Sequence, residues 1–304
     1  MSLKQKYLVS IVGATAIGKT ALSIKLAQQY NTAIISCDSR QFYKEMTIGT
    51  AVPEPEELTA APHYFIQNKS IFDSYNVGSF EHDALAKLKE LFIKHDVVIM
   101  VGGSGMYVNA LVNGLDNFPE VDTTIRERLT QQLATDGIEV LQKQLQQLDP
   151  LSYKNIAIDN PQRLSRALEI CIGTGKPYSS FLNKKKNPRM FTTISVGLTA
   201  DRSLMYDRIN KRVDIMLEKG LLEEAKTLYP YKHLNALNTV GYKELMKYFD
   251  GEWELDFAVS EIKKNTRRFA KRQVTWFKRN PETQWFNYNY QLDDIINYIN
   301  QKQT

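Results

Sequence analysis

The chain is poor in the residues that build covalent or metallic scaffolds. Two cysteines, Cys37 and Cys171, cannot form a disulfide framework, and four scattered histidines do not complete a four-ligand zinc site with them. That scarcity fits a reducing compartment, so a cytoplasmic protein is expected. Long hydrophobic runs are also missing: Val97–Val101 falls far short of the ~20 apolar residues that cross a bilayer, which excludes a membrane-spanning role. Lys4 and Lys6 precede an apolar stretch, Tyr7 to Val12, but it ends in a Gly-rich turn and reads as a buried strand, so no targeting segment is expected. Internal repeats and low-complexity tracts are absent. With 43% apolar and 24% charged residues, 15 Gly and 10 Pro, the 304-residue chain is neither disordered, collagen-like nor fibrous. Its net charge, 39 basic minus 34 acidic or +5, is mild, and its information lies in where the positive residues cluster.

What is present reads first as α/β. Apolar runs at Tyr7–Val12, Thr32–Ser36 and Val97–Val101 alternate with helical patterns at Ala21–Tyr30 and Phe80–Lys94, as in a parallel sheet flanked by helices. From Thr123 to about Leu148, and again over Pro161–Ile172, the pattern is helical with no intervening strand. A strand at Thr192–Leu198 then rejoins the sheet, and helices follow at Leu204–Leu217, Leu221–Leu228, Val240–Phe249 and Phe257–Lys278. The expected organisation is a catalytic core over 1–118 and 190–304, interrupted by a mainly helical insertion over 119–189.

After the first strand stands Gly13-Ala14-Thr15-Ala16-Ile17-Gly18-Lys19-Thr20, a full G-x-x-x-x-G-K-S/T match between a strand and a helix. The glycines let successive backbone N–H groups and the positive helix end converge on one anion, Lys19 adds charge, and Thr20 is placed to help hold Mg²⁺. ATP-binding and other nucleotide-binding proteins share this cradle, so by itself it specifies a phosphate and not its owner. Nucleotide hydrolases commonly end a later strand in an Mg²⁺-binding Asp, yet the third strand here runs into Gly102-Gly103-Ser104-Gly105 with Asp96 at its opposite end. The second strand does end in acid, at Asp38, followed by Ser39-Arg40-Gln41 at the sheet edge where α/β proteins bind substrates. An Asp in that place also serves as a cap for a following turn.

Six segments, GATAIGKT, DSRQFYKEMTIGTAVP, VGGSGMYV, NPQRLSRALEI, VGYKE and RRFAKRQVTWF, occur in this order over nearly the whole chain. They resemble the bacterial tRNA dimethylallyltransferase (tRNA isopentenyltransferase) family. The resemblance implies an enzyme that moves a dimethylallyl group from dimethylallyl diphosphate to N6 of adenosine 37, beside the tRNA anticodon, using Mg²⁺ and releasing diphosphate. It implies that Gly13 through Thr20 hold the prenyl diphosphate, that Asp38 is the general base, and that Ser104 and Arg212 serve the reacting groups. It further assigns tRNA contacts to Asp38, Ser39, Arg40, Gln41, Ser104, Arg126 and the run Gln162, Arg163, Leu164, Ser165 and Arg166. The implied partners are the tRNA anticodon stem-loop and dimethylallyl diphosphate; no membrane partner and a monomeric chain are expected. The sequence departs from the family at Ala14, Ile17 and Val52, the last replacing a usual Lys, and Ser104 stands for Thr but keeps the hydroxyl.

Nucleic-acid contact has its own signal. Lys263, Lys264, Arg267, Arg268, Lys271, Arg272, Lys278 and Arg279 recur at mostly three- and four-residue spacing on one expected helix, with Ile262, Phe269, Trp276 and Phe277 expected to turn inward. Lys264, Arg268 and Arg272 are the expected RNA contacts on it, and Lys184-Lys185-Lys186 with Arg189 form a second basic patch. Two other functions compete with the prenyl-transfer reading. A P-loop kinase of a small metabolite would use the same cradle but has no use for a basic helix. A non-catalytic RNA-binding protein would not need Lys19, Thr20 and Asp38 intact.

Overall fold

The computed structural model describes residues 4–182 and 188–303, so the basic run Lys184-Lys185-Lys186 lies outside the described residues. Six strands form one all-parallel sheet in the order β3-β2-β4-β1-β5-β6. They are β1 (Tyr7–Gly13), β2 (Ile34–Ser36), β3 (His63–Tyr64), β4 (Val97–Val101), β5 (Thr192–Thr199) and β6 (Gln284–Asn287). Among them run α1 (Lys19–Gln29), α2 (Pro55–Ala60), α3 (Val77–Lys94) and α4 (Gly105–Asn113).

The P-loop α/β class read from the sequence is the observed one, and period-two alternation explains it. Leu8 and Val12 join Val98, Met100 and α3 residues Phe80, Ala84 and Leu88 on one side of the sheet. Val9 and Ile11 join Ile99, Val196 and α1 residues Leu22 and Leu26 on the other. A sheet buried on both faces must carry such near-continuous apolar strands. Helix α3 begins three residues earlier than its apolar period indicates, because Asn76 caps it by accepting from Gly78 N and Ser79 N.

Contacts divide the chain into two compact units, Met1–Asn113 with Arg189–Thr304, and Gly114–Pro188. The second unit holds α5 (Thr123–Asp136), α6 (Ile138–Leu148), α7 (Pro150–Asn155) and α8 (Pro161–Thr174). Its core is Leu129, Leu141, Leu145, Leu164, Leu168 and Cys171. Buried Asp149 ties it together by accepting from Ser152 N at 3.0 Å, Ser152 Oγ at 2.6 Å, Ser179 N at 2.7 Å and Ser179 Oγ at 2.9 Å. Burial alone would raise this carboxyl, but the four hydrogen bonds outweigh it and hold the acid below its ordinary range. A depressed folded-state value stabilises the fold above the unfolded value and is lost as pH falls below it, about 4. Amide protection within this unit, taken relative to the intrinsic exchange rate at each pH, is therefore expected to fall as pH drops below about 4, and Asp149→Asn to cost about 2 kcal/mol already at neutral pH. Equal exchange in the variant and the parent at neutral pH would remove Asp149 from this role.

The first unit closes with α9 (Arg202–Glu218), α10 (Leu221–Leu228), α11 (Tyr242–Phe249), the 23-residue α12 (Leu255–Phe277) and α13 (Leu292–Gln301). Among the described residues no helix is long and apolar enough to cross a membrane.

Candidate active site

The cradle forms where β1 turns into α1. Gly18 has φ 106 and Ala16 φ 62, left-handed backbone that curls the loop so that its amides face inward. No side chain caps the N-terminus of α1, which leaves its first-turn N–H groups for an anion. The side chains of Ala14 and Ile17 are buried, so these two serve through their backbone. Lys19 Nζ folds back to donate to Ala14 O at 2.6 Å, and Arg212 Nη1 points to Thr15 Oγ1 at 3.4 Å. Burial lowers Lys19 to about 8, against the pull of Asp38 and with a smaller push from Arg212. Burial also lowers Arg212, again opposed by Asp38. Two desolvated cations beside the uncapped N-terminus of α1 favour an incoming anion strongly, since each recovers in it the charge compensation lost with water.

A cavity of about 550 Å³ opens over the cradle, with Lys19, Thr20, Arg208, Lys211 and Arg212 in its wall. A second, of about 500 Å³, has Ile209, Val213, Met216, Val240, Phe269 and Trp276 in its wall, with Arg40, Lys243 and Arg272 among its polar lining. Both cavities are lined by Thr15, Asp38, Thr50 and Arg212, so the Asp38 carboxylate stands where a phosphate-binding space meets an apolar one.

Asp38 Oδ1 accepts from Arg40 N at 3.1 Å and so also stabilises the turn that follows β2. Ser104 Oγ accepts from Ser39 N at 3.0 Å and lies 3.1 Å from Ser39 Oγ, which joins the two sheet-edge motifs. Arg40 and Gln41 turn inward: Arg40 donates to Asn235 O and Ala236 O, and Gln41 Nε2 to Thr50 O at 3.2 Å and Ala51 O at 2.8 Å. These two side chains position the cavity wall. In the first unit, Asp96 precedes β4 and forms ion pairs with Lys4 and Lys6, at the end of the strand opposite Gly102.

In the helical unit, Arg126 and Arg166 converge on the buried Glu169, at 2.6 and 3.2 Å. Gln162 and Arg163 are exposed in the first turn of α8, and Ser165 is half-buried. Leu164 is a correction. Its side chain is wholly inside the helical core, so it packs the unit and presents nothing to an RNA.

The long helix α12 also differs from expectation. Ile262 and Phe277 are buried, but Phe269 and Trp276 are 38% and 39% exposed. Residues 262, 266, 269, 273 and 276 share one helical face, and although Ile262 also packs in a core, all five line the apolar cavity. Lys263 pairs with Asp214 and Arg267 donates to Asn210, both on α9, while Lys264 pairs with Glu261 on its own helix. The outward cations are Arg268, Lys271, Arg272, Lys278 and Arg279.

Sequence reasoning overlooked three supports of the site. Gln273 is buried and bridges its two halves, accepting from Thr15 N at 2.9 Å and donating to Gly103 O at 2.9 Å. A Cβ on Gly103 would fall 2.1 Å from Gln273 Nε2, so a larger residue there would displace the Gln273 amide from this bridge. Glu224 holds the wall loop, accepting from Thr47 N, Ile48 N and Gly49 N at 2.8–3.0 Å and from Tyr242 Oη at 2.6 Å. Arg208 Nε donates to Ala16 O at 2.8 Å. The available signal for Gln273 was a polar residue at the inward phase of an amphipathic helix.

A parallel sheet whose cradle shares a cavity with a carboxylate, and whose carboxylate also borders a more apolar cavity, defines a P-loop protein suited to a phosphorylated substrate with a hydrocarbon part. The family model described as IPP transferase matches residues 41–280. The tRNA dimethylallyltransferase of Christiangramia forsetii is 62% identical over 97% of this chain and 98% of its own length, and that of Flavobacterium johnsoniae 60% identical over 97% of each. The crystal structure of the tRNA isopentenylpyrophosphate transferase of Bacillus halodurans superposes with a TM-score of 0.74 at 36% identity, covering 99% of this chain and 97% of that one. A eukaryotic dimethylallyltransferase captured acting on tRNA superposes with a TM-score of 0.80 at 27% identity over 98% of this chain and 77% of its own. The chain belongs to the IPP transferase family, that of the tRNA dimethylallyltransferases.

Proposed function

We propose that this enzyme transfers the dimethylallyl group of dimethylallyl diphosphate to N6 of adenosine 37 beside the tRNA anticodon. The observation that carries this reading is the position of Asp38 at the junction of the cradle cavity and the apolar cavity. The diphosphate occupies the cradle, and the flipped adenine enters from the other side. An adenine amino group is a poor nucleophile until its proton leaves, and Asp38 accepts that proton as the N6–carbon bond forms and the allylic carbon–oxygen bond breaks. The departing diphosphate gathers charge that the cradle amides, Lys19 and Arg212 stabilise more strongly in the transition state than before it. Ser104 holds Ser39 and, with it, the edge of the base-binding space.

Among the described residues no group of three His, Cys, Asp or Glu could hold a metal by itself. A hard cation that keeps its waters and shares phosphate oxygens needs only one or two protein oxygens, and the Thr20 hydroxyl in the cradle wall fits that demand for Mg²⁺. When bound there it would neutralise diphosphate charge. The unit Gly114–Pro188 is the tRNA-binding insertion in this reading, supported by the exposed Gln162 and Arg163. In this reading the enzyme works as a cytoplasmic monomer.

Incubating the protein with Mg²⁺, dimethylallyl diphosphate and an anticodon stem-loop RNA should add one five-carbon prenyl unit to a single adenosine. Phosphorylation of a small metabolite from ATP, without prenyl transfer, would favour the kinase instead. The exposed cations of α12 give a second test. Removing Arg268 and Arg272 together should flatten the dependence of log K on log salt for stem-loop binding by about 1.4, at ~0.7 per phosphate contact. An unchanged slope would make them a solvated face.

A further inference from the structure

Phe269 and Trp276 are large aromatics left exposed at the mouth of a cavity, on a helix whose neighbouring turns are basic. Each carries a guanidinium three residues on: Arg272 lies 5.7 Å from the Phe269 ring centroid and Arg279 lies 5.4 Å from that of Trp276. The unit aromatic-x-x-Arg thus occurs twice, seven residues apart. Between the two rings, on the same helical face, Gln273 reaches into the site to Thr15 and Gly103. Trp276 is set in place by its edge against Gly105, where a Cβ would come within 2.3 Å of the indole. Met106, 55% exposed, also lines this cavity.

We propose that Phe269 and Trp276 are paired stacking platforms for the unpaired anticodon-loop bases on either side of the extruded adenosine. The proposal rests on the tRNA reading above and specifies how that RNA is held open. Unstacked loop bases are recognised by stacking on aromatic rings, and every base offers a π-face, so two such platforms grip the loop whatever its neighbours. Seven residues of helix separate the rings by about 10.5 Å along the axis, at 1.5 Å per residue. That exceeds the ~6.8 Å spanned by two stacked steps of ~3.4 Å, as it must when the middle base has left the stack. The guanidiniums of Arg272 and Arg279 stiffen the rings and lie within reach of the adjoining phosphates, so stacking and charge act at one place. The occupant is RNA and not an apolar partner, because Arg268, Lys271, Arg272, Lys278 and Arg279, all exposed, lie within three residues of one ring or the other.

The test uses the full chain and an anticodon stem-loop RNA over a series of salt concentrations. Phe269→Ala and Trp276→Ala should each weaken binding about 5- to 100-fold with the salt slope unchanged, since stacking releases no counterions. Trp276→Phe keeps a ring and should bind within about threefold of the parent. Intrinsic tryptophan fluorescence of the parent should be quenched by the stem-loop and not by a fully paired duplex, and Trp276→Phe should abolish that quench. Alanine variants that bind as tightly as the parent, a lowered salt slope in them, or a quench that persists in Trp276→Phe would overturn the proposal. The quench needs no destabilising substitution, so it decides the matter even if an alanine variant folds poorly. A parent that binds and quenches but forms no prenylated RNA would sink the reaction and leave the platforms standing. Prenylated product from the parent, alongside unaltered binding by both alanine variants, would do the reverse.

Discussion

Asp38→Asn should lower the single-turnover rate of prenyl transfer about 10²–10⁴-fold while tRNA and dimethylallyl diphosphate still bind. The amide oxygen of Asn can accept from Arg40 N as Asp38 Oδ1 does, so the turn after β2 should survive. What the amide cannot do is take a proton from the adenine amino group. The substitution therefore separates the two duties of this side chain, the local turn and the chemistry. It also removes the charge that counteracts the burial of Lys19 and Arg212, so diphosphate should bind the variant at least as tightly. A near-normal single-turnover rate would reduce Asp38 to a turn residue. Loss of fold and tRNA affinity together with activity would do the same.

Lys19→Ala should cost about 2–4 kcal/mol of transition-state stabilisation, or roughly 30- to 1000-fold in the rate of transfer. The ammonium is buried beside the cradle, donates to Ala14 O, and lines with Arg212 the cavity in which the proposal places the diphosphate. Its burial gives a pH signature as well. With the ammonium lowered to about 8, the free enzyme loses this charge as pH rises through that value, so diphosphate affinity should fall on the alkaline side. Bound diphosphate favours the charged form and moves the inflection upward in the complex. The alkaline loss should vanish in Lys19→Ala, whose affinity is already low. A variant that keeps the alkaline fall would assign it to another group, and one with parental rates would place the diphosphate elsewhere.

Much of this site was legible because its motifs act through backbone and local sequence. The run from Gly13 to Thr20 needs only a strand before it and a helix after it, and both are there. Asp38 and Ser104 were placed by the strands that precede them, since β2 and β4 are adjacent and their carboxyl ends necessarily meet. The edges of the sheet were not legible. Strand β3 has two residues, and β6 has four with only partial burial, too few to show an alternating period. Side-chain duties set by distant partners were hidden too. Arg40 and Gln41 read as contacts in a polar run, and the sequence does not show that both also donate to backbone carbonyls of other segments. Leu164 sits inside a motif but at its apolar phase, and the helical core claims it. Phe269 and Trp276 follow the same apolar rule on α12 and were expected to be buried, but their helical face borders a cavity, and periodicity cannot distinguish a cavity from a core.

The central claim is that this chain prenylates an adenosine beside the anticodon, and nucleoside mass analysis of bulk tRNA from cells lacking it examines that claim most directly. The account predicts that the isopentenyl-bearing adenosine disappears from the tRNA of such cells and returns when the parent chain is restored, but not with Asp38→Asn. Undiminished isopentenyl-adenosine in cells lacking the chain, with no second enzyme of this kind present, would contradict it.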